Sequence, residues 1–296
     1  MTESRDNRDA AATDRAGVEY WSGRWTAGAL PTAIDPRDPS RWNYVNRRLH
    51  SYFQSLFGTN AGRDAKLLEI GCGNSVWLPY FQREHGFAIE GLDYSPEGCE
   101  GGRRILAREQ IHGAIHCANL FSPPAELEKA FDAVVSFGVV EHFDDTDATV
   151  RAAAEFVAPG GVLFTLVPNM NGLPGLIQKT INRQLYDAHV PLTPSRLAEA
   201  HTRAGLTVLE SRYFLSVNFG INSLFGADRG RSSMTAFAAI LYLLNQFATL
   251  VWKLEELMGA RFPEGRLLSP YVITTARRLD GGAIGNRGES KAMGRA

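Results

Sequence analysis

Short runs of Val, Ile, Leu and Phe recur along the chain, and stretches with apolar residues three or four apart separate most of them. The runs fall at residues 66–70, 88–92, 115–118, 131–137, 161–167, 206–213 and 270–277. Period-two and period-3.6 patterns in turn predict strands alternating with helices, a sheet covered on both faces. The expected fold class is therefore α/β, doubly wound, with a seven-stranded sheet.

Two intervals are too long for minimal connections. Residues 168–194 carry Pro, Gly and Asn punctuation, and residues 215–269 separate the sixth run from the seventh. Connections of this length serve as lids or binding elements more often than as plain loops, so both are read as helical lid insertions within a domain spanning 61–279. Residues 17–60 precede the first strand and show a helical stripe, Val45, Leu49, Tyr52 and Leu56; they are expected to form N-terminal cap helices. The polar residues 1–16 and the Gly-rich residues 280–296 read as disordered tails.

Composition narrows the classes. With 31 basic and 32 acidic residues the net charge is −1, so no global field draws in polyanions and nucleic acid is not an expected partner. Cys72, Cys99 and Cys117 have neither CxxC spacing nor nearby histidines in the sequence, which argues against a disulfide framework or a zinc site and for a reduced, cytoplasmic setting. No carboxylate cluster for a metal is legible, and the expectation is that none is bound.

The chemistry concentrates where the first strand ends, at Leu67-Leu68-Glu69-Ile70-Gly71-Cys72-Gly73-Asn74-Ser75. Glycines there let the backbone turn sharply and approach a ligand without a Cβ in the way. The next strand ends Gly91-Leu92-Asp93-Tyr94-Ser95, placing Asp93 about 20 residues beyond the glycines, where an acid can hold ribose hydroxyls. A nicotinamide dinucleotide would use the same acid, but Val76 stands where its third glycine belongs.

Taken in order, Glu69-Ile70-Gly71-Cys72-Gly73-Asn74, Gly91-Leu92-Asp93-Tyr94-Ser95, residues 131–142 ending Phe137-Gly138-Val139-Val140-Glu141-His142, and Ala158-Pro159-Gly160-Gly161 resemble the motifs of class I S-adenosylmethionine-dependent methyltransferases of the small-molecule type. The resemblance covers roughly residues 66–213. It implies a mostly parallel sheet with an antiparallel seventh strand, S-adenosyl-L-methionine as cofactor, and cofactor roles for Glu69, Gly71, Cys72, Gly73, Asn74 and Asp93. Where the family commonly has an acid near the adenine, this chain reads Asn119-Leu120-Phe121; an Asn carbonyl accepts the same bond. Phe121 and Tyr94 either sandwich the adenine or belong to the core. Phe137 lies where donor and acceptor meet in the family. The segment Tyr20-Trp21-Ser22-Gly23-Arg24-Trp25 resembles the aromatic segment that folds over the cofactor, with Tyr20 a cofactor contact; plain packing on the sheet is the alternative.

The acceptor reads as a small, lipophilic molecule methylated on oxygen or nitrogen. His189, then His142, are the candidate proton acceptors, with Glu141 beside them; an orienting or capping role for Glu141 and His142 stays open. The apolar stretch from Ser232, carrying Phe237, Ile240, Leu241, Leu244, Phe247, Val251, Leu254 and Met258 at helical spacing, is expected to cover the acceptor pocket or to join two copies in a homodimer. Its 21 uncharged residues also admit a peripheral membrane enzyme acting on a lipid or quinone, and a catalytically silent cofactor-binding module is the remaining alternative.

Overall fold

The computed structural model describes residues 13–26, 29–62, 64–227 and 231–280; the expected 281–296 part of the C-terminal tail and residues 1–12 lie outside them. Seven strands, β1 (Lys66–Ile70), β2 (Ala88–Asp93), β3 (Gly113–Cys117), β4 (Phe131–Phe137), β5 (Val157–Pro168), β6 (Thr207–Phe214) and β7 (Tyr271–Arg277), form one sheet in the order β3-β2-β1-β4-β5-β7-β6. The β1–β5 pairings are parallel, whereas β7 runs antiparallel to both β5 and β6. β5 begins four residues before the apolar run, because Val157 pairs with Phe131 and the register then shifts by a bulge. Pro159 and Gly160 fit in that irregularity, which regular pairing would exclude.

Alternate residues of the central strands feed two cores. Leu67, Val135 and Phe164 face an aromatic core with Phe53, Tyr80 and Phe81, while Leu68, Val134 and Leu163 face an aliphatic one with Phe156 and Leu197. The first core is roofed by helices α2 (Tyr44–Phe57) and α3 (Trp77–His85). The second is roofed by α5 (Thr146–Ala154) and α8 (Pro194–Arg203), and α4 (Pro96–Arg108) packs on β2 and β3. The helices start where short polar side chains take orphan N–H groups: Ser95 from Gly98, Asp145 from Ala148 and Thr193 from Arg196.

The N-terminal tail reading extends four residues too far. Thr13–Ala16 is docked: Asp14 bridges Phe143, and the Arg15 guanidinium binds Asp144 at 2.5 Å and the carbonyls of Asp187 and His189 at 3.0 Å. Its polarity, which reads as solubility in one dimension, is spent on backbone carbonyls in three.

The insertions part company. Residues 168–194 hold α6 (Leu173–Ile181) and α7 (Arg183–Asp187) and wrap over the sheet's C-terminal edge. In 215–269, Ser216–Phe219 is buried, and α9 (Arg231–Met258) then meets the first turns of α2 through residues 252–256. Trp252 stacks on Tyr44 at 4.6 Å between ring centres and donates to the Val217 carbonyl, and the Tyr44 hydroxyl donates to buried Glu255. The cover anticipated for α9 is not seen there: among its described side chains none lines either cleft described below. Its Trp252 and Glu255 anchor it on Tyr44 at the start of α2 and on the Val217 carbonyl just beyond β6.

Candidate active site

Two clefts open at the C-terminal edge of the parallel strands, where ligands of doubly wound sheets bind. The first is lined by Ile70, Gly71, Leu92, Asp93, Tyr94, Ala118, Asn119, Leu120, Phe137, Gly138, Val139, His142 and Phe143, and is closed by Asp14, Trp21 and Trp25. The last two come from α1 (Val18–Thr26). Gly71 sits at φ +74°, and a Cβ there would come within 2.4 Å of Val139 Cγ2, so only glycine makes this turn. Gly73 approaches the Trp25 ring and Asp93 so closely that a Cβ would lie 2.5 and 3.0 Å from them.

Asp93 is the anionic centre of this cleft. Its Oδ2 accepts from the Gly73 N–H and its Oδ1 from the Ser95 N–H, both at 2.8 Å. Burial pushes its pKa up, against the pull of these backbone donors. Each oxygen keeps a lone pair for a further donor. The indole Nε1 of Trp25, also at the cleft, is a buried donor without a partner among the described residues. An acid with spare acceptor capacity, a glycine cradle, an Asn119 carbonyl and aromatic walls fit a nucleoside cofactor carrying a cation.

Several residues assigned to the cofactor by resemblance lie elsewhere. Glu69 points into the fold, where its Oε2 accepts the Ser75 hydroxyl at 2.5 Å, and that hydroxyl caps the N–H groups of Trp77 and Leu78. Burial raises the Glu69 pKa to about 8; the residue holds the glycine turn onto α3. Cys72 is fully buried against Gly91. Asn74, at φ +51°, donates to the Trp25 carbonyl outside the cleft. Phe121 packs edge-on against Phe143, whose ring takes the cleft wall instead. Tyr20 lines the second cleft, one position off in the helical turn from Trp21. Tyr94 keeps its place, its hydroxyl donating to Asp14. Asp14 had no signal in sequence, being one acid among many in a polar stretch.

The second cleft shares Trp21, Phe137, Gly138 and His142 with the first. Leu166, Met170, Leu185, Ile221 and Tyr271 make its walls largely apolar, with Tyr20, Arg24, Gln178 and Ser223 near them. Glu141, His142 and His189 are brought together here, the imidazole centres 4.5 Å apart. His142 Nδ1 lies 2.9 Å from the Ala188 carbonyl and His189 Nδ1 2.6 Å from the Leu185 carbonyl. Carbonyls only accept, so both Nδ1 atoms carry the proton and both Nε2 atoms present a lone pair when neutral. Burial pushes each pKa down to about 4, so both rings are neutral at physiological pH; for His189 the neighbouring His142 adds to the effect. Burial likewise pushes Glu141 up to about 8. His201, also near 4, instead bonds Thr165 inside the core and takes no part.

This fold and cofactor cleft define an S-adenosyl-L-methionine-dependent methyltransferase of the doubly wound class. A family model described as "methyltransferase domain" matches residues 41–211, and the chain belongs to that family. Among curated relatives it is similar to the ubiquinone biosynthesis O-methyltransferase of Methylobacterium nodulans, 26% identical over 261 residues, covering 76% of this chain and 96% of the relative. The protein of that name from Neisseria meningitidis serogroup C is 26% identical over 216 residues, covering 70% of this chain and 84% of its own length. Among solved structures, geranyl diphosphate C-methyltransferase from Streptomyces coelicolor superposes with a TM-score of 0.55 at 16% identity, covering 91% of this chain and 99% of that one, a likeness of fold.

Proposed function

We propose that the protein transfers the methyl group of S-adenosyl-L-methionine to a hydroxyl oxygen of a small, lipophilic, ring-bearing acceptor in the cytoplasm. The observation that carries this reading is the meeting of the two clefts at Trp21, Phe137, Gly138 and His142, with two neutral imidazoles on the acceptor side. The names of the curated relatives, both O-methyltransferases of quinone biosynthesis, support the same acceptor chemistry.

The bound cofactor supplies an electrophilic methyl on a cationic sulfur. Asp93, Asn119 and the glycine turn would hold it, and Trp21 and Trp25 would exclude water. The acceptor's apolar body rests on Leu166, Met170 and Ile221 while its hydroxyl faces Glu141, His142 and His189. His142 or His189 would take the hydroxyl proton on Nε2 as the acceptor oxygen gains the methyl and the electron pair stays on sulfur. Alignment between the two clefts accounts for roughly 7–11 kcal/mol of barrier lowering in well-oriented systems. A base contributes about 10²- to 10⁴-fold more with a hydroxyl acceptor.

Incubating the purified enzyme and labelled cofactor with matched apolar phenols, anilines and thiols tests this reading. Phenols are expected to gain one methyl. Transfer confined to the amines or thiols would refute it.

A second reading concerns where the enzyme works, and we infer it from α9. Ile240, Tyr242, Leu243, Phe247, Leu250 and Leu257 are half or more exposed on a helix about 42 Å long. Met234–Met258 is apolar and long enough to cross a membrane, with 11% of its 18-residue apolar window buried in the fold. Because Trp252 and Glu255 tie the helix to α2, an orientation along a lipid surface fits better than one across it. Vesicles of phosphatidylethanolamine and phosphatidylglycerol are expected to sediment the protein. The double substitution L243E/L250E should lower this binding at least tenfold and leave turnover of a water-soluble acceptor unchanged. A stable dimer in solution that these substitutions split, without vesicle binding, would assign the face to a second copy instead.

A further inference from the structure

Glu141, His142 and His189 offer one donor atom each, and those atoms all lie within 4.8 Å of one another in the buried floor of the acceptor cleft. Both histidines are prepared alike. Each gives its Nδ1–H to a main-chain carbonyl and turns Nε2 to the cluster, the outer bond that orients an imidazole as a metal ligand. The two segments that carry them are fastened together: the Val190 N–H donates to the Glu141 carbonyl at 2.6 Å, the Arg15 N–H to the His142 carbonyl, and the Arg15 guanidinium to the His189 carbonyl. Glu141 is 1% exposed, and neither carboxylate oxygen has a hydrogen-bond partner among the described residues. Its nearest ionisable neighbour is His142, with Nε2 at 3.9 Å. A carboxyl buried this way is costly unless something satisfies it, and at 3.9 Å the His142 Nε2 is too far to hydrogen-bond with it.

We propose that Glu141, His142 and His189 form a site for a divalent first-row transition ion, zinc(II) or a congener, that holds an oxygen of the acceptor. Two imidazoles and one carboxylate suit such ions, whereas magnesium and calcium prefer all-oxygen shells. Three protein ligands leave coordination positions open toward the cleft. There the charge of the ion makes an acceptor hydroxyl more acidic, and its proton leaves to bulk water. This deepens the hydroxyl reading above and rests on it for the identity of the acceptor, though not for binding of the ion. The absence of a metal motif in the sequence has a simple cause: Glu141 and His189 are far apart along the chain, and hydrogen bonds from Val190, His142 and Arg15 to main-chain carbonyls bring them together.

Titration of the full chain with cobalt(II) tests the site without any acceptor. One equivalent is expected to bind with the visible d–d bands of a low-coordinate nitrogen and oxygen shell. Single substitutions E141Q, H142Q and H189Q should each loosen it roughly 100-fold or more. H116Q, which removes the partly buried His116–Glu90 pair away from the cleft, should leave it intact. A thermal melt of each variant reports folding. Should a variant fail to fold, X-ray absorption of the zinc-loaded wild type must show two imidazoles and one carboxylate. Absence of stoichiometric binding, affinity unchanged in the three variants, or a different ligand set would overturn the proposal. Undiminished O-methylation in chelator-treated, metal-free protein would also overturn it, leaving direct proton transfer to imidazole and the hydroxyl reading standing. Ion binding in an enzyme that methylates only amines would instead refute the acceptor and keep the site.

Discussion

Replacing Asp93 by Ala is expected to weaken S-adenosyl-L-methionine binding by about 10²- to 10⁴-fold. Two charge-assisted hydrogen bonds of about 1.5–3 kcal/mol each would be lost. The fold should survive, because the carboxylate is already held above its ordinary pKa by burial and its removal relieves that cost while freeing only the Gly73 and Ser95 N–H groups. Calorimetric titration, with a thermal melt as control, checks both halves. A Kd within threefold of wild type would remove Asp93 from the cofactor site. The raised pKa also fixes a sign. On acidification Asp93 takes up its proton at a higher pH than an ordinary aspartate, so cofactor affinity in wild type should begin to fall above the normal carboxylate range. Asp93→Asn should abolish that dependence.

The second large effect is on turnover. His189→Gln or His142→Gln should lower kcat on a hydroxyl acceptor by roughly 10²-fold or more, with cofactor affinity nearly unchanged. The loss should shrink at high pH, where the acceptor ionises without help. Because burial holds both imidazoles down to about 4, they stay neutral as the pH falls through 6.5. In the metal-free protein kcat should therefore persist to about pH 5 and decline as the pH approaches the folded value near 4. A midpoint near 6.5 would mean that the rings are solvated in the working enzyme. Near-normal kcat in both variants would leave proximity as the whole of catalysis and point to an amine acceptor.

How far the sequence carries is visible element by element. β1 and β4 begin and end where the apolar runs do, at 66–70 and 131–137, because central parallel strands are buried on both faces and write mostly apolar segments. Gly71, Gly73 and Asp93 are legible for a related reason: a strand end, a tight turn and an acid one strand later lie close in sequence and are constrained by backbone geometry. Glu69 sits in the same motif, yet its side chain turns to Ser75. Neighbours along a strand face opposite sides, and the motif does not state which side meets the ligand.

What the sequence determined by itself, then, is the sheet, the glycine turn, the acid that ends β2 and a histidine-bearing connection after β5. Those are local or periodic properties, encoded by hydrophobic alternation and by residues a turn cannot do without. Tertiary structure alone decided which aromatic rings close the cofactor cleft, that Asp14 and Arg15 dock where a tail was expected, that α9 leaves the site uncovered, and that Glu141 and His142 face His189. Each depends on segments distant in the chain meeting through burial and main-chain hydrogen bonds. Such bonds, as from Val190 to Glu141, use groups that every residue carries and therefore leave no mark in the sequence.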